Sequence, residues 1–301
     1  MKYFCVVLFM VFSMVAFAQH AEPAPENVSK PKIKRTVIRP NRSVVIDPAI
    51  NEGSGLCAWN GLLWTHNDSG FAKLFTIDTV GGKITAEYPL PMTINNDWED
   101  MSQDSTYFYI GDFGNNAGTR EKLHIIRVNK ASLLAQQPVI DTIAFQWPET
   151  ITSGQRAKIN FDCEAMAVIK DSIYLFTKEW KHGRRTRAFS LPTQPGSYTA
   201  KYKATLKTRM LITGASYHAA GNKLVLCGYN LLLRPFLMEF IMDDTQDLFA
   251  GKMTRIKVKK RFRQTEGVTT FDGHNYYIIN EDFRFLFLHT QQELHSIRLK
   301  P

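Results

Sequence analysis

The segment DWEDMSQDSTYFYIGDFGNN, residues 97–116, contains the pattern on which the interpretation of the whole chain depends. Acidic residues open a short apolar strand, a polar turn follows, and a second strand, YFYIGD, ends in a loop rich in Gly and Asn. Short runs of aromatic and β-branched residues between Gly, Asn and Asp favour β-structure. The segment therefore predicts a β-hairpin with acidic residues at one end.

The same order of strand, turn, strand and loop recurs along the chain, and each copy continues into a third strand. The opening strands are EGSGLCAW from Glu52, DWEDMSQD from Asp97, DCEAMAVI from Asp162, TGASYHAA from Thr213 and TEGVTTFD from Thr265. The marker positions Glu52, Glu99, Glu164, Ala215 and Glu266 are 47, 65, 51 and 51 residues apart. A period near ~50 residues is typical of propeller blades. We predict an all-β fold, a five-bladed β-propeller, with six blades as the alternative if the longest interval hides a diverged unit.

A fourth strand follows in four of the units, beginning near Lys83, Asp141, Tyr198 and Met253, but the fifth unit ends at Pro301 without one. The segment RSVVID, residues 42–47, can supply the missing strand from the other end of the chain. Closing the ring in this way hides strand edges that would otherwise pair with other molecules. A β-sandwich is the runner-up fold, but it does not explain five similar units.

The N-terminal residues 1–18 have the features of a signal peptide, because an apolar run is followed by Ala16-Phe17-Ala18. No later segment approaches the ~18 apolar residues of a membrane span. We expect an exported, periplasmic or extracellular protein, monomeric and without a nucleic-acid partner. Residues 19–42 are predicted to be a flexible leader and residues 43–301 a single propeller domain.

Composition adds two expectations. Cys57, Cys163 and Cys227 remain after cleavage, and each falls in a predicted strand, where a buried free thiol is the favoured interpretation. The formal net charge is +9, and part of the excess lies in KMTRIKVKKRFR, residues 252–263. Such a segment is typical of a solvated outer strand, with an anionic partner as the alternative.

The marker glutamates predict where a site would be. First strands line the channel of a propeller, so the acidic residues that open them should meet at one mouth: Glu52, Glu99, Glu164 and Glu266. Carboxylates at close range need a cation or hydrogen-bond donors. Calcium, which takes roughly 6 to 8 oxygen ligands, is the cofactor we expect if a metal is bound. The alternative is structural, with each glutamate accepting backbone N–H groups of a neighbouring blade.

The loops that reach the same face supply further candidates. We predict ligand contacts from Asp68, Asn115, Asn116, Arg120, Lys178, Trp180 and Glu281. If the protein is an enzyme, Glu99, Asp112 or His66 would act as general base beside a metal ion.

The runs WTHNDSG, NNDWEDM, YIGDFGNN and FDCEAMA resemble those of a family of uncharacterised secreted bacterial propellers. They are also similar to the SdiA-regulated propellers and, more loosely, to NHL and SMP-30 type propellers. The resemblance covers most of residues 50–300 and implies the fold and export. SMP-30 type lactonases bind one divalent ion at the channel, and a similar arrangement here would use Glu52, Glu99 and Glu164.

Two functions follow from these observations. The first is a non-enzymatic module that binds an extracellular protein, a glycan or a small anionic ligand, because no nucleophile motif is present. The alternative is a calcium-dependent hydrolase of an ester, lactone or phosphoester.

Overall fold

The computed structural model describes residues 33–148, 161–179, 185–243, 248–285 and 288–299. The expected signal peptide and the first part of the leader lie outside the described residues. Within them the chain forms five antiparallel units of four strands arranged as a ring, which confirms the five-bladed β-propeller and removes the six-bladed alternative. No helix of the described residues is long and apolar enough to cross a bilayer.

The strands of each blade are named from the channel outward. The inner strands are β3 (Gly53–Trp59), β7 (Trp98–Gln103), β11 (Cys163–Ile169), β16 (Leu211–His218) and β20 (Thr265–Thr270). The second strands are β4 (Leu62–Asn67), β8 (Tyr107–Asp112), β12 (Ser172–Thr177), β17 (Lys223–Tyr229) and β21 (Asn275–Asn280). The third strands are β5 (Lys73–Ile77), β9 (Leu123–Asn129), β13 (Thr186–Pro192), β18 (Pro235–Ile241) and β24 (Glu293–Arg298). The outer strands are β6 (Ile84–Pro89), β10 (Ile140–Gln146), β15 (Lys201–Leu206), β19 (Lys252–Val258) and β2 (Arg42–Val45).

The fifth blade is closed by the N-terminal strand, as the sequence predicted. Strand β2 pairs antiparallel with β24, so that Arg42 lies opposite Ser296 and Val45 opposite Glu293. The buried side chain of Gln292 donates from Nε2 to the carbonyl oxygen of Ile46 at 3.3 Å. The two ends of the described chain are therefore joined within one sheet, which is how a propeller avoids an open edge.

Part of the segment 19–42, which the sequence predicted to be a flexible leader, lies within the described residues. Its residues 33–38 form strand β1 (Ile33–Ile38), which pairs parallel with β19 and extends the fourth blade to five strands. A second short strand, β14 (Gly196–Thr199), pairs parallel with β10 of the neighbouring blade. The remaining elements are the helix α1 (Lys130–Leu134) and a hairpin of β22 (Phe283–Phe285) and β23 (Leu288–Thr290).

The hydrophobic core is divided into five clusters, and each lies between two neighbouring blades. Between the first and second blades, for example, Trp64 packs with Trp98 and Phe108. The three cysteines of the described residues are buried in these interfaces as free thiols. Because burial of apolar area joins blade to blade, it holds the five inner strands around the channel.

Candidate functional site

The structure shows which residue occupies the repeated position of each inner strand. In three blades the pairing with the second strand shifts at the marker glutamate: Glu99 lies between the pairs Trp98↔Asp112 and Asp100↔Gly111. Glu164 and Glu266 lie at the same point of β11 and β20. A β-bulge of this kind changes the direction in which the side chain of the unpaired residue points.

The register of the two other blades corrects the sequence alignment. In the fourth blade the shift falls at Thr213, between the pairs of Ile212 and Gly214, and not at Ala215. In the first blade the shift falls later, between the pairs Ser54↔His66 and Cys57↔Trp64. The N–H of Asp68 donates to the carbonyl of Glu52 as that of Lys178 donates to the carbonyl of Asp162, so Ser54 takes the position assigned to Glu52. Glu52 stands two residues earlier, in the place of Asp97 and Asp162.

Equivalent positions therefore form three tiers around the mouth. The bulge tier consists of Glu99, Glu164, Thr213 and Glu266 at the bulges, with Ser54 at the equivalent position of the first blade. The entry tier, two residues earlier, consists of Glu52, Asp97, Asp162, Leu211 and Gln264. The exit tier, at the ends of the second strands, consists of Asp68, Phe113, Lys178, Tyr229 and Glu281. Backbone bonds tie exit to entry residues, as from the N–H of Lys178 to the carbonyl of Asp162 at 2.7 Å.

The tiers enclose a cavity of about 370 Å³. All four glutamates that the sequence assigned to a metal lie on its wall. The described residues that line it include seven carboxylates, namely Glu52, Asp68, Asp97, Glu99, Glu164, Glu266 and Glu281, and one basic side chain, Lys178. Among the described residues no three Asp, Glu, His or Cys side chains stand in the arrangement of a preformed metal site.

Burial raises the pKa of six of these carboxyl groups, namely Asp68, Asp97, Glu99, Glu164, Glu266 and Glu281. The pKa of Asp68 rises to about 7 through burial, a hydrogen bond with Glu52 and the charges of Glu52 and Glu281. The pKa of Glu281 also rises to about 7, mainly through burial, although Lys178 opposes the change. Burial and the neighbouring charge of Glu164 hold the pKa of Glu99 well above its usual range. The cavity thus contains carboxyl groups that lack enough positive charge to ionise together.

Lys178 and Glu266 both lie on the cavity wall but differ in their hydrogen-bond partners. The ammonium of Lys178 donates to the carboxylate of Glu164 and lies 5.8 Å from the ring centroid of Tyr229. Glu266 is only 7% exposed, and its carboxylate has no hydrogen-bond or ion-pair partner among the described residues. Glu266 is therefore an unpaired acceptor on the cavity wall.

The wall contributed by the fourth blade is not acidic. Leu211 and Tyr229 stand in the entry and exit tiers there, and the loop after β17 adds Leu231 and Leu233. That loop is a tight turn in which the Asn230 side chain accepts from the backbone N–H groups of Leu232 and Arg234, both at 3.1 Å. The cavity consequently has an acidic side and an apolar side.

Next to the bulge residue Glu99, Asp100 extends its side chain across the channel to two other inner strands. Its Oδ2 accepts the backbone N–H of Met166 at 2.8 Å and that of Ala215 at 3.0 Å, so one fully buried side chain joins three inner strands. Burial raises the pKa of Asp100 well above its usual range. The sequence interpretation missed this residue, although an acidic residue inside the apolar strand of DWEDM was the available signal.

Two of the predicted catalytic residues are not on the cavity wall. His66 is fully buried, its Nδ1 is 3.0 Å from the carbonyl of Asn67, and burial lowers its pKa to about 4. Asp112 is buried and forms an ion pair of 2.8 Å with Arg120. Strand β4 turns His66 inward because its side chains alternate between the two faces of the sheet. Of the three candidates, Glu99 alone lines the cavity.

Some of the predicted ligand contacts line the cavity and others are bonded elsewhere. Asp68, Asn116, Lys178 and Glu281 line the cavity. Asn115 is buried, and its side chain bonds the backbone of Arg120 in both directions, at 2.9 and 3.0 Å. Arg120 is bound to Asp112 and to the carbonyl of Gly114. Trp180 lies outside the described residues.

No family model matches the chain, and no curated protein matches it. Solved structures with a similar fold include a protein of unknown function from Dyadobacter fermentans, with a TM-score of 0.48, 8% identity, and 87% of this chain and 99% of that chain covered. A putative oxidoreductase (glucose dehydrogenase) from Thermus thermophilus gives a TM-score of 0.46 and 10% identity, covering 85% and 99%. Hydrazine synthase of Kuenenia stuttgartiensis gives 0.38 and 12%, and the match spans 78% of this chain and 57% of that chain. We draw no functional argument from these similarities.

Proposed function

We propose that this protein is a non-enzymatic binding module that takes up a positively charged ligand in the cavity at the mouth of its channel. The observation that carries the proposal is the unpaired carboxylate of Glu266, which is buried on the wall of that cavity. A cation would bond directly to this group and would add positive charge to a wall on which Lys178 is the one basic side chain of the described lining.

The surrounding charges support the same conclusion. The described lining carries seven carboxylates against one lysine, and that lysine is already bonded to Glu164. A small anionic ligand, one of the three kinds of partner that the sequence predicted, would meet repulsion from this wall. The proposal keeps the predicted binding module with a cation at the channel mouth and replaces the anionic ligand.

Calcium remains the proposed ion if the ligand is a metal, since the donors are all oxygen atoms. Glu52, Glu99 and Glu266 would hold it, because Glu164 is occupied by Lys178. A bound divalent ion would supply positive charge to the carboxylates and would hold polar groups of a second ligand. The hydrolase alternative has less support, because His66 and Asp112 do not line the cavity.

The test is calorimetric titration of the purified protein with calcium chloride and, separately, with methylammonium chloride at pH 8. At least one cation should bind, and Glu266→Gln should weaken the binding about tenfold or more, the effect of one lost charge-assisted hydrogen bond. Glu121→Gln is the matched control, because Glu121 is exposed and does not line the cavity. Binding of neither cation, or equal binding by both variants, would rule out the proposed function.

A further inference from the structure

Resting on the cation-binding function proposed above, we infer that the ligand is a protonated amine that carries an apolar group. Its ammonium would bond to Glu266 and its apolar part would lie on the fourth-blade wall of Tyr229, Leu231 and Leu233. This inference names the class of ligand, whereas the proposed function fixes only the sign of its charge.

The first argument is the position of the apolar wall. Leu231 is 79% exposed and stands beside the cavity opening, in a loop whose next two residues are also leucines. Two residues before Leu231, Tyr229 occupies the exit position at which the first, third and fifth blades have Asp68, Lys178 and Glu281. An exposed apolar group at the rim of a polar cavity marks a surface that a ligand can cover.

The second argument is that the unpaired acceptor lies beside this wall. The inner strand of the fourth blade neighbours that of the fifth, and the hydroxyl of Thr213 donates to the carbonyl of Thr265, the residue before Glu266. Tyr229 is close enough to Glu266 for the carboxylate to help raise the pKa of the phenol, after burial. A ligand that bonds to Glu266 would therefore have the apolar side chains of the fourth blade within reach.

The third argument concerns the type of cation. A carboxylate without a donor needs N–H or O–H groups, which an ammonium supplies and a quaternary ammonium does not. A bare metal ion would satisfy the charge but would leave the leucines in water. A cavity of about 370 Å³ has room for more than one ion, since small-molecule sites begin at roughly 300 Å³.

The experiment compares three probes by calorimetry on the same protein: methylammonium, hexylammonium and hexanol. Hexylammonium should bind at least about tenfold tighter than methylammonium, because some of its five additional methylene groups leave water. Hexanol, which has the chain without the charge, should bind at least about tenfold weaker than hexylammonium.

A pair of variants localises the effect. Leu231→Ser should remove most of the advantage of hexylammonium over methylammonium, and Leu232→Ser should leave it unchanged. Leu232 is the matched control, because it neighbours Leu231 in the same turn, is 61% exposed, and does not line the cavity. Both side chains project into solvent, so neither substitution removes core packing.

Each outcome separates the two proposals. If calcium and methylammonium bind but hexylammonium binds no tighter than methylammonium, the amine proposal is overturned and cation binding stands. If hexanol binds as well as hexylammonium, or Leu232→Ser has the effect of Leu231→Ser, the amine proposal is also overturned. If no charged probe binds, both proposals fail.

Discussion

The ammonium of Lys178 and the carboxylate of Glu164 are hydrogen-bonded inside the mouth cavity, with side-chain exposures of 7% and 2%. Glu164 lies at the bulge of β11 and Lys178 directly follows β12, so the pair joins two adjacent strands of one blade. Burial tends to lower the pKa of Lys178, but Glu164 and other neighbouring charges hold it well above its usual range. Lys178 therefore remains charged, bonded to Glu164 and close enough to Glu99, Glu266 and Glu281 to oppose the rise of their pKa values.

We expect Lys178→Met to destabilise the protein by about 3 kcal/mol at pH 8, because it leaves Glu164 as a buried charge without a partner. The loss should shrink at pH 5, since burial already raises the pKa of Glu164 and a proton can replace the lysine. Urea unfolding at the two pH values measures the effect. Lys122→Met is the control, since Lys122 is exposed. A loss that does not change with pH would contradict this account of the pair.

The second prediction concerns pH. The pKa of Glu281 is about 7 in the folded protein against an ordinary value of 4.5. Its contribution to stability is fully present below pH ~4.5 and is lost as the pH rises through about 7, because the charged form is disfavoured in the fold. The side chain of Glu281→Gln cannot ionise, so this variant does not lose that contribution. The free energy of unfolding of Glu281→Gln minus that of the native protein should therefore increase by roughly 1–3 kcal/mol between pH 5 and pH 8.

Thermal or urea unfolding of both proteins across that pH range gives the measurement. Glu121→Gln, at an exposed position, should show no change relative to the native protein. Parallel pH curves for the native protein and Glu281→Gln would show that this carboxyl group is not perturbed.

Gly114 leaves room for the side chains of Asp97 and Glu99, which are hydrogen-bonded to each other. A Cβ atom at Gly114 would lie 2.2 Å from the Asp97 carboxyl carbon and 2.3 Å from Oε1 of Glu99. We expect Gly114→Ala to displace these carboxylates and to weaken cation binding about tenfold or more, the effect of misplacing a charge-assisted contact. Gly81→Ala is the control, because its nearest contact would be 3.4 Å, to the Asp78 side chain. Unchanged affinity in Gly114→Ala would show that Asp97 and Glu99 do not contact the ligand.

The two N-terminal strands, β1 and β2, should contribute differently to the stability of the protein. A chain that begins at residue 40 lacks β1, whose residues are mostly exposed at a sheet edge, and should lose little stability. A chain that begins at residue 48 also lacks β2 and the buried Ile46, which packs in the core between the fifth and first blades. We expect that chain to unfold at least about 10 °C lower, as a loss of several kcal/mol implies. Equal melting temperatures would contradict closure of the ring by β2.

The sequence was sufficient for the architecture because strand periodicity and repeat spacing are local properties. Five copies of one unit predicted five blades, and the missing fourth strand of the last unit predicted that RSVVID would close the ring. The leader was less predictable. Its residues 33–38 pair with β19, and a run of basic residues gives no signal for a partner more than 200 positions away.

The sequence by itself also determined that acidic residues gather at the ends of the inner strands, since their positions follow the repeat. Only the tertiary structure decided how deep each one lies. Glu52 precedes β3 and Ser54 lies within it, and the backbone bond from Asp68 to Glu52 assigns the inner position to Ser54. Packing against Trp98 of the second blade buried His66, and the divergence of the fourth blade gave the cavity its apolar side. These features depend on contacts between distant segments, so no local pattern in the chain could specify them.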